Sequence, residues 1–284
     1  MLDAHNILKK YLNDKNPKYH RIFFARSDPA MNYGLVSAVL INKIALQRIY
    51  KLSEDMGMEI YPIIGVGSAP FRGNLRPDTV DRVSNEYPSV HTFSIQSAFK
   101  YDNPPDEVTK AIKVLRGQKR SPPRKVNEEK CLDLIDRYVE EYTKQIVTLA
   151  PLINSVAKYV PKRRKRKLHI GLFGYSRKMG EIKLPRAITF TAALYSIGIP
   201  PEVLGLNAIT DKDYEYLKEV YVNFEEDLKD ALQYYNPDCD FIPNEVHAKV
   251  KELDIDYKLN EEHNEITNTI QKSIEKIKSE DLSE

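Results

Sequence analysis

Asp28, Arg72, Arg177 and Arg186 each lie in a loop just past a short apolar run, or close beyond one. Ile22-Phe23-Phe24-Ala25 stops at Arg26-Ser27-Asp28-Pro29-Ala30. Tyr61-Pro62-Ile63-Ile64-Gly65-Val66-Gly67 stops at Ser68-Ala69-Pro70-Phe71-Arg72-Gly73-Asn74. His169-Ile170-Gly171-Leu172-Phe173-Gly174 stops at Tyr175-Ser176-Arg177, with Leu184-Pro185-Arg186-Ala187 just beyond. One carboxylate and three arginines at such positions suit a small, highly anionic substrate held beside a metal ion. Charged loops at the ends of buried strands are how α/β barrels build their active sites.

Each residue also has a plainer use. Asp28 can be a hard-cation ligand, because Mg²⁺ takes one or two carboxylates and fills its other positions with water and substrate oxygens. It can equally be the N-cap of a helix that starts near Pro29 or Asn32. The run from Gly65 to Asn74 frees backbone N–H groups that can face an anion. It has neither the P-loop nor the dinucleotide fingerprint. Within it Arg72 is the informative residue, since a guanidinium fork matches phosphate or carboxylate; a surface salt bridge is the alternative. Arg186 falls in the first turn of the next predicted helix, where a cation opposes the helix dipole. A bound anion or a buried carboxylate must then compensate it. Gln96, at the end of Val90-His91-Thr92-Phe93-Ser94-Ile95, can bind substrate or orient a neighbour, or be structural. His91 begins that run, at the opposite end, and reads as structural. The six consecutive basic residues Lys162 to Lys167 read as a solvated connection rather than a polyanion site.

The elements that must position these residues follow from periodicity. Buried strands are expected over Arg21–Ala25, Glu59–Val66, Val90–Ile95 and Leu168–Phe173, each a near-continuous apolar run. Leu35, Val36, Val39, Leu40, Ile44, Leu46 and Ile49 give Tyr33–Met56 a broad apolar helical face, with Gly57 in the stop position. Further helices are expected near Glu107–Leu115, over Asn127–Val160 with a break near Pro151, and over Pro185–Ile197, where Pro stands in the first turn. After Pro200-Pro201 only helices remain: Asp211–Tyr235, Pro243–Leu253 and Asn260–Glu280. Strands alternating with helices imply an α/β fold with a parallel sheet covered on both faces. Four strands are too few for a complete barrel of eight. They leave a small open sheet or the back half of a barrel.

Composition sets the outer bounds. A chain of 284 residues with 42% hydrophobic and 30% charged content can bury a core as one domain or two. A net charge of +2 gives no global field for nucleic acid or membranes. Cys131 and Cys239 have no metal-type spacing and no disulfide pattern, so a reducing cytoplasm is expected. The polar start of the chain does not read as a signal peptide. No apolar run approaches the ~20 residues needed to span a bilayer.

Taken together these motifs resemble phosphoenolpyruvate carboxylase, in particular its shorter archaeal-type branch. The resemblance runs from about Arg21 to Leu206. Phe24-Ala25-Arg26-Ser27-Asp28-Pro29-Ala30-Met31-Asn32-Tyr33-Gly34 is similar to the family's metal-binding strand end, and Ile64 to Gly73 to its glycine-arginine loop. His91 to Ser97 resembles the next strand. Gly174-Tyr175-Ser176-Arg177 and Leu184-Pro185-Arg186-Ala187-Ile188 resemble its paired substrate-binding arginines. Order and spacing agree across four separate motifs.

The resemblance implies roles. Asp28 would be one of two carboxylates holding Mg²⁺ or Mn²⁺. Arg72 would contact the transferring phosphoryl or carboxyphosphate group, and Arg177 and Arg186 the phosphate and carboxylate of the substrate; Gln96 is expected to bind substrate from its strand-end position alone. The longer bacterial and plant branch carries an earlier arginine in the loop, where this chain has Val66. Phosphoenolpyruvate and bicarbonate would give oxaloacetate and phosphate, with a divalent metal as Lewis acid and arginines offsetting phosphoryl charge. The family's second metal carboxylate and catalytic histidine belong to segments before the first motif, and neither His5 nor His20 matches that histidine. The implied fold is therefore the second half of a (β/α)8 TIM-type barrel over residues 1–206, with a helical C-terminal region over 207–284. Activity is expected to need an N-terminal half of the same enzyme, and the family is commonly a cytoplasmic homotetramer. The competing readings are a non-catalytic assembly module derived from the barrel, another metal-dependent lyase of pyruvate-like substrates, and a polyanion binder using Lys162 to Lys167.

Overall fold

The computed structural model describes residues 2–161, 178–179 and 182–281. It is mixed α/β and mostly helical, with a small parallel sheet. The chain divides into two compact units. The first comprises Met1–Ala30, Leu35–Arg137 and Ile209–Asp227; the second comprises Met31–Gly34, Tyr138–Ala208 and Leu228–Glu284. Among the described residues no helix is long and apolar enough to cross a membrane.

The first unit is built on β1 (Tyr19–Ala25), β2 (Glu59–Gly65) and β3 (Thr92–Ser94), paired in parallel in the order β1-β2-β3. The elements α1 (Leu2–Lys15), α2 (Ser27–Tyr33), α3 (Leu35–Met56), α4 (Val80–Glu86), α5 (Ser97–Tyr101) and α6 (Pro105–Gly117) precede, connect or follow the strands. Side chains alternate across a strand, and here one set is covered and the other is not. Ile60 packs with Leu12 of α1 and with Ile49 and Leu52 of α3. Ile64 and Val66 pack with Leu46 of α3, Val80 and Val83 of α4, and Val108 and Ala111 of α6, joined by Phe24 and Phe93. On the opposite face Tyr19 and Phe23 are 59% and 60% exposed. The expected sheet with both faces covered is thus covered on one. Its crossover helices share a single side of the sheet.

Polar groups tie the helices to this sheet. Asn42 of α3 donates to the Ala25 carbonyl at 3.1 Å. Lys43, buried beside it, donates to the Glu86 carbonyl at 3.1 Å and pairs with the Glu86 carboxylate.

In the second unit, α7 (Glu128–Val156) supplies its later turns. The helix runs on through Pro151 without the expected break. Pro151 is exposed, so water can take the carbonyl that proline leaves unpaired. Tyr138 donates to the Leu204 carbonyl at 2.7 Å and Tyr142 to the Met31 carbonyl at 2.8 Å. A short hairpin pairs β4 (Lys178–Met179) with β5 (Ile182–Lys183). Then come α8 (Ala187–Tyr195) and the later helices. The expected helix Asp211–Tyr235 is two, α9 (Asp211–Val220) and α10 (Phe224–Leu232), followed by α11 (Asn244–Glu252) and α12 (Glu261–Asp281). A capping box at Thr210 and Asp213 opens α9. The expected strand Leu168–Phe173 and the basic run Lys162 to Lys167 lie outside the described residues.

Gly34 and Gly57 both have a positive φ, +80° and +58°. A Cβ on Gly34 would lie 2.4 Å from Tyr138 Cε1, whereas one on Gly57 would meet nothing within 4 Å. Gly57→Ala is therefore expected to cost only the left-handed strain, about 1 kcal/mol. Gly34→Ala should cost about 2–4 kcal/mol by adding an overpacking penalty. Urea denaturation of the two variants checks this, and equal midpoints would contradict it.

Candidate active site at the strand ends

Parallel register decides which residues meet. Ala25 pairs with Gly65, and Gly65 with Ser94, so the three strands end level. Arg26-Ser27-Asp28, the loop from Val66, and Ile95-Gln96 therefore emerge along one edge of the sheet.

Asp28 stands in the first turn of α2 rather than at its cap, since the helix starts at Ser27. The capping role that competed for it is not the one it has. Its carboxylate is half-buried, and no side chain or amide among the described residues engages it. Metal-binding capacity is limited: among the described residues no three His, Cys, Asp or Glu side chains are grouped to hold an ion. A half-buried carboxylate without a protein partner among the described residues, on the same strand-end edge as the Arg72 loop, still fits one position of a hard cation completed by water and substrate oxygens.

The loop after β2 is a closed turn. Gly67 N–H donates to the Arg72 carbonyl at 2.7 Å, and Leu75 N–H donates to the Gly67 carbonyl at 2.8 Å. Between them Pro70–Arg72 form one 3-10 turn that ends on Gly73 with φ +113°. The Arg72 guanidinium folds back over Gly67, where a Cβ would lie 2.8 Å from Arg72 Cζ. Arg72 Nη2 donates to Gln96 Oε1 at 2.6 Å. Gln96 is the N-cap residue of α5 but makes no side-chain cap bond, so its amide oxygen serves Arg72. Two residues picked out separately in the sequence are thus in contact.

Arg186 belongs to the second unit. It is the N-cap residue of α8, with extended backbone (φ −67°, ψ 153°), one position before the first turn expected for it. It is exposed, and no carboxylate among the described residues pairs with it. Of the two compensations the sequence allowed, the buried carboxylate is therefore not found among those residues, and the exposed guanidinium is open to water. Arg177 lies outside the described residues. His91 is an exposed residue at the start of β3. Its ring packs 4.7 Å from Tyr61, and burial, then Arg120 and Arg21, lower its pKa.

The comparisons with known proteins give the chain's family. The family model for phosphoenolpyruvate carboxylase matches residues 1–284. The chain belongs to the phosphoenolpyruvate carboxylase family. It is 56% identical over 274 residues to a phosphoenolpyruvate carboxylase of Methanospirillum hungatei, covering 96% of this chain and 56% of that protein. It is 49% identical over 284 residues to one of Methanothermobacter thermautotrophicus, covering 100% and 59%. A Pyrococcus furiosus relative is 56% identical over 239 residues, covering 84% and 50%. The chain thus spans a little over half the length of the curated relatives it matches.

Sequence reasoning missed the buried charges behind this edge of the family member. Arg26 is 0% exposed and donates from Nη1 to the Phe71 carbonyl at 3.1 Å. Burial opposes its charge, but Tyr87, Tyr221 and Asp227 together raise its pKa. Asp227 accepts from Asn74 Nδ2 at 2.7 Å and from the Tyr221 hydroxyl. Burial pushes its carboxyl up to about 6, although the Tyr221 and Asn74 hydrogen bonds pull the other way. Arg26 carried a signal, a cation directly after an apolar strand. Asp227 carried none, because its partner Asn74 is 153 residues away.

Two outcomes are expected. A Cβ at Gly67 collides only with the Arg72 side chain, so Gly67→Ala should break the Arg72–Gln96 bond while shifting the melting midpoint by no more than about 2–4 °C. A crystal structure of the variant that retains the bond would contradict this. The second outcome concerns pH. The folded Asp227 carboxyl holds its proton more tightly than an ordinary aspartate of 3.8. The stability it contributes is present below about 3.8 and is lost as pH rises through about 6, a change on the order of 2–3 kcal/mol. Asp227→Asn should abolish that part of the pH dependence, so the stability difference between variant and parent should widen in the variant's favour from pH 4 to pH 7. A difference that stays flat would refute it.

Proposed function

We propose that this chain is the C-terminal part of a phosphoenolpyruvate carboxylase, which converts phosphoenolpyruvate and bicarbonate to oxaloacetate and phosphate. The observation that carries this reading is the contact of Arg72 with Gln96 at the same strand edge as the Asp28 carboxylate, which has no partner among the described residues. Family membership over residues 1–284 supports it.

Each residue has a role that its surroundings allow. Arg72 presents a planar donor fork to the transferring phosphoryl group, where positioning and electrostatics supply most of the catalysis. Gln96 fixes the plane of that fork. Arg186 stands at the positive end of α8, so helix and side chain together favour an anionic group of the substrate. Arg177 would be its companion. Asp28 would hold Mg²⁺ or Mn²⁺, and that ion would supply Lewis-acid stabilisation of negative charge as the reaction proceeds.

The sheet supports a barrel reading of the fold. Sequential strand order, crossovers on one side and an open face carrying Tyr19 and Phe23 are what half of a (β/α)8 wall would present. In this reading residues 1–206 form the barrel part and 207–284 the helical region. The remaining length of the relatives would supply the other strands, a second metal carboxylate and the catalytic histidine. The complete protein would be a cytoplasmic homo-oligomer.

The test is oxaloacetate formation, coupled to an NADH-dependent reductase, by this chain combined with the remaining portion of the protein. Activity should require a divalent cation. Arg72→Ala and Arg186→Ala should each lower kcat/KM by about 10²–10³. Unchanged kcat/KM in both variants would sink the reading. Turnover by this chain alone would remove the need for a second portion.

A further inference from the structure

Arg26 touches three structures at once. Its N–H donates to the Gly65 carbonyl, the end of β2, at 3.1 Å. Its own carbonyl accepts from Ala30 N–H at 3.2 Å, which starts the helix bearing Asp28. Its guanidinium holds the Phe71 carbonyl, one residue before Arg72. The stem runs so close to Gly73 that a Cβ there would come 3.1 Å from Arg26 Cγ. Beyond the Phe71 contact the guanidinium faces Tyr87, Tyr221 and Asp227 across a cavity of about 10 Å³, the size of one water.

The same turn is gripped from its other side. Asn74, buried with φ +56°, gives its amide to Asp227 in the first turn of α10. Asp227 is itself held in place. The Tyr221 hydroxyl donates to its second oxygen. Asn223 donates from its backbone to Glu86 Oε2 and from its side chain to the Arg82 carbonyl, both at 2.9 Å, which pins this segment to α4. The residues at positions 71 and 74, on either side of Arg72 and Gly73, are thus each fixed by a fully or nearly buried charged side chain.

We infer that Arg26 and Asp227 are positioning residues: they clamp the Pro70–Asn74 turn so that Arg72 presents its guanidinium to the phosphoryl group of the substrate. The inference rests on the function proposed above and extends the site to a residue from the helical C-terminal region. Neither side chain needs to touch the substrate. Their burial is the physical argument. Charged groups taken out of water stabilise a fold poorly compared with apolar residues of similar size, so their value lies in the geometry they enforce. Two buried side-chain hydrogen bonds, from Arg26 to the Phe71 carbonyl and from Asn74 to Asp227, add direction to a turn that backbone bonds and the Thr79 hydroxyl bond to the Asn74 carbonyl also hold.

Asp227→Asn tests this in the active two-part assembly, because it keeps the shape of the side chain while weakening its acceptance from Asn74 or Tyr221. At pH 7.5 the variant is expected to melt no lower than the parent, yet to lose about tenfold in kcat/KM, the size of a lost buried hydrogen bond to a charged group. In an Arg72→Ala background the same substitution should cause no further loss, because it acts through Arg72. An unchanged kcat/KM in the parent background overturns the inference, and so does an equal loss in both backgrounds. Asn74→Ala carries the same comparison if Asp227→Asn fails to fold. Should the parent assembly form no oxaloacetate, the proposed function fails first. Amide exchange at Gly73 and Asn74 then decides the clamp, with faster exchange in Asp227→Asn supporting it and unchanged exchange overturning it.

Discussion

The register of the parallel sheet is the constraint on which the rest of the first unit depends. Parallel strands must be joined by crossovers, and here both crossovers pack on the same face. Because Ala25, Gly65 and Ser94 end level, whatever follows each strand is delivered to one edge. A one-residue slip in any pairing would exchange the two faces of that strand and send its apolar side chains into the open side. Ile60, Ile64 and Phe24, packed under α1, α3, α4 and α6, oppose such a slip. The hydrophobic core thus fixes the strand ends from which Asp28, Arg72 and Gln96 follow.

Behind that edge the protein places charge where water is excluded. Arg26 is fully buried, and Lys43 and Glu86 are each 3% exposed. Each of these groups costs desolvation, and each is met by partners from a different element. Burial lowers the Lys43 pKa, and Glu86 works against that by pairing with it. Arg26 is surrounded by two tyrosines and Asp227. The consequence is a loop edge whose backbone is held from behind by buried side chains. Gly67 and Gly73 make the close approach possible, the first by leaving room for the Arg72 guanidinium and the second by its left-handed turn.

The open face of the sheet is the counterpart of this order. Exposed Tyr19 and Phe23 stand over a surface whose other side is a packed core. Phe23 lies over Gly65, where a Cβ would meet its ring at 2.4 Å, and the Tyr19 and Tyr61 rings meet edge to face at 6.0 Å. Arg21 stands exposed between Tyr19 and Phe23 on the same face and donates to Thr92 Oγ1 at 3.0 Å. The relatives are nearly twice as long as the stretch matched here.

Much of the site was legible in the sequence because its signals are local. A buried strand is a short apolar run, a helix stop is Gly57, and a phosphate-type arginine sits in a glycine-bearing loop; each can be read within about ten residues. Those signals located β1, β2, α3 and the residues Asp28, Arg72, Gln96 and Arg186. Local reading failed where two descriptions fit one short stretch. Asp28 could be a cation ligand or the cap of a helix starting near Pro29 or Asn32, and the start of α2 at Ser27 removed the cap alone. The long helical reading after Asp211 missed the break before Phe224, because both halves are amphipathic and no Pro or Gly separates them. What the sequence by itself determined is the identity and order of the chemical groups, since these depend on residue type and near neighbours. The tertiary structure alone decided that Gln96 orients Arg72 and that Asp227 reaches Asn74. Those contacts span 24 and 153 residues, and pairing over such separations is set by how elements pack, which no local pattern encodes.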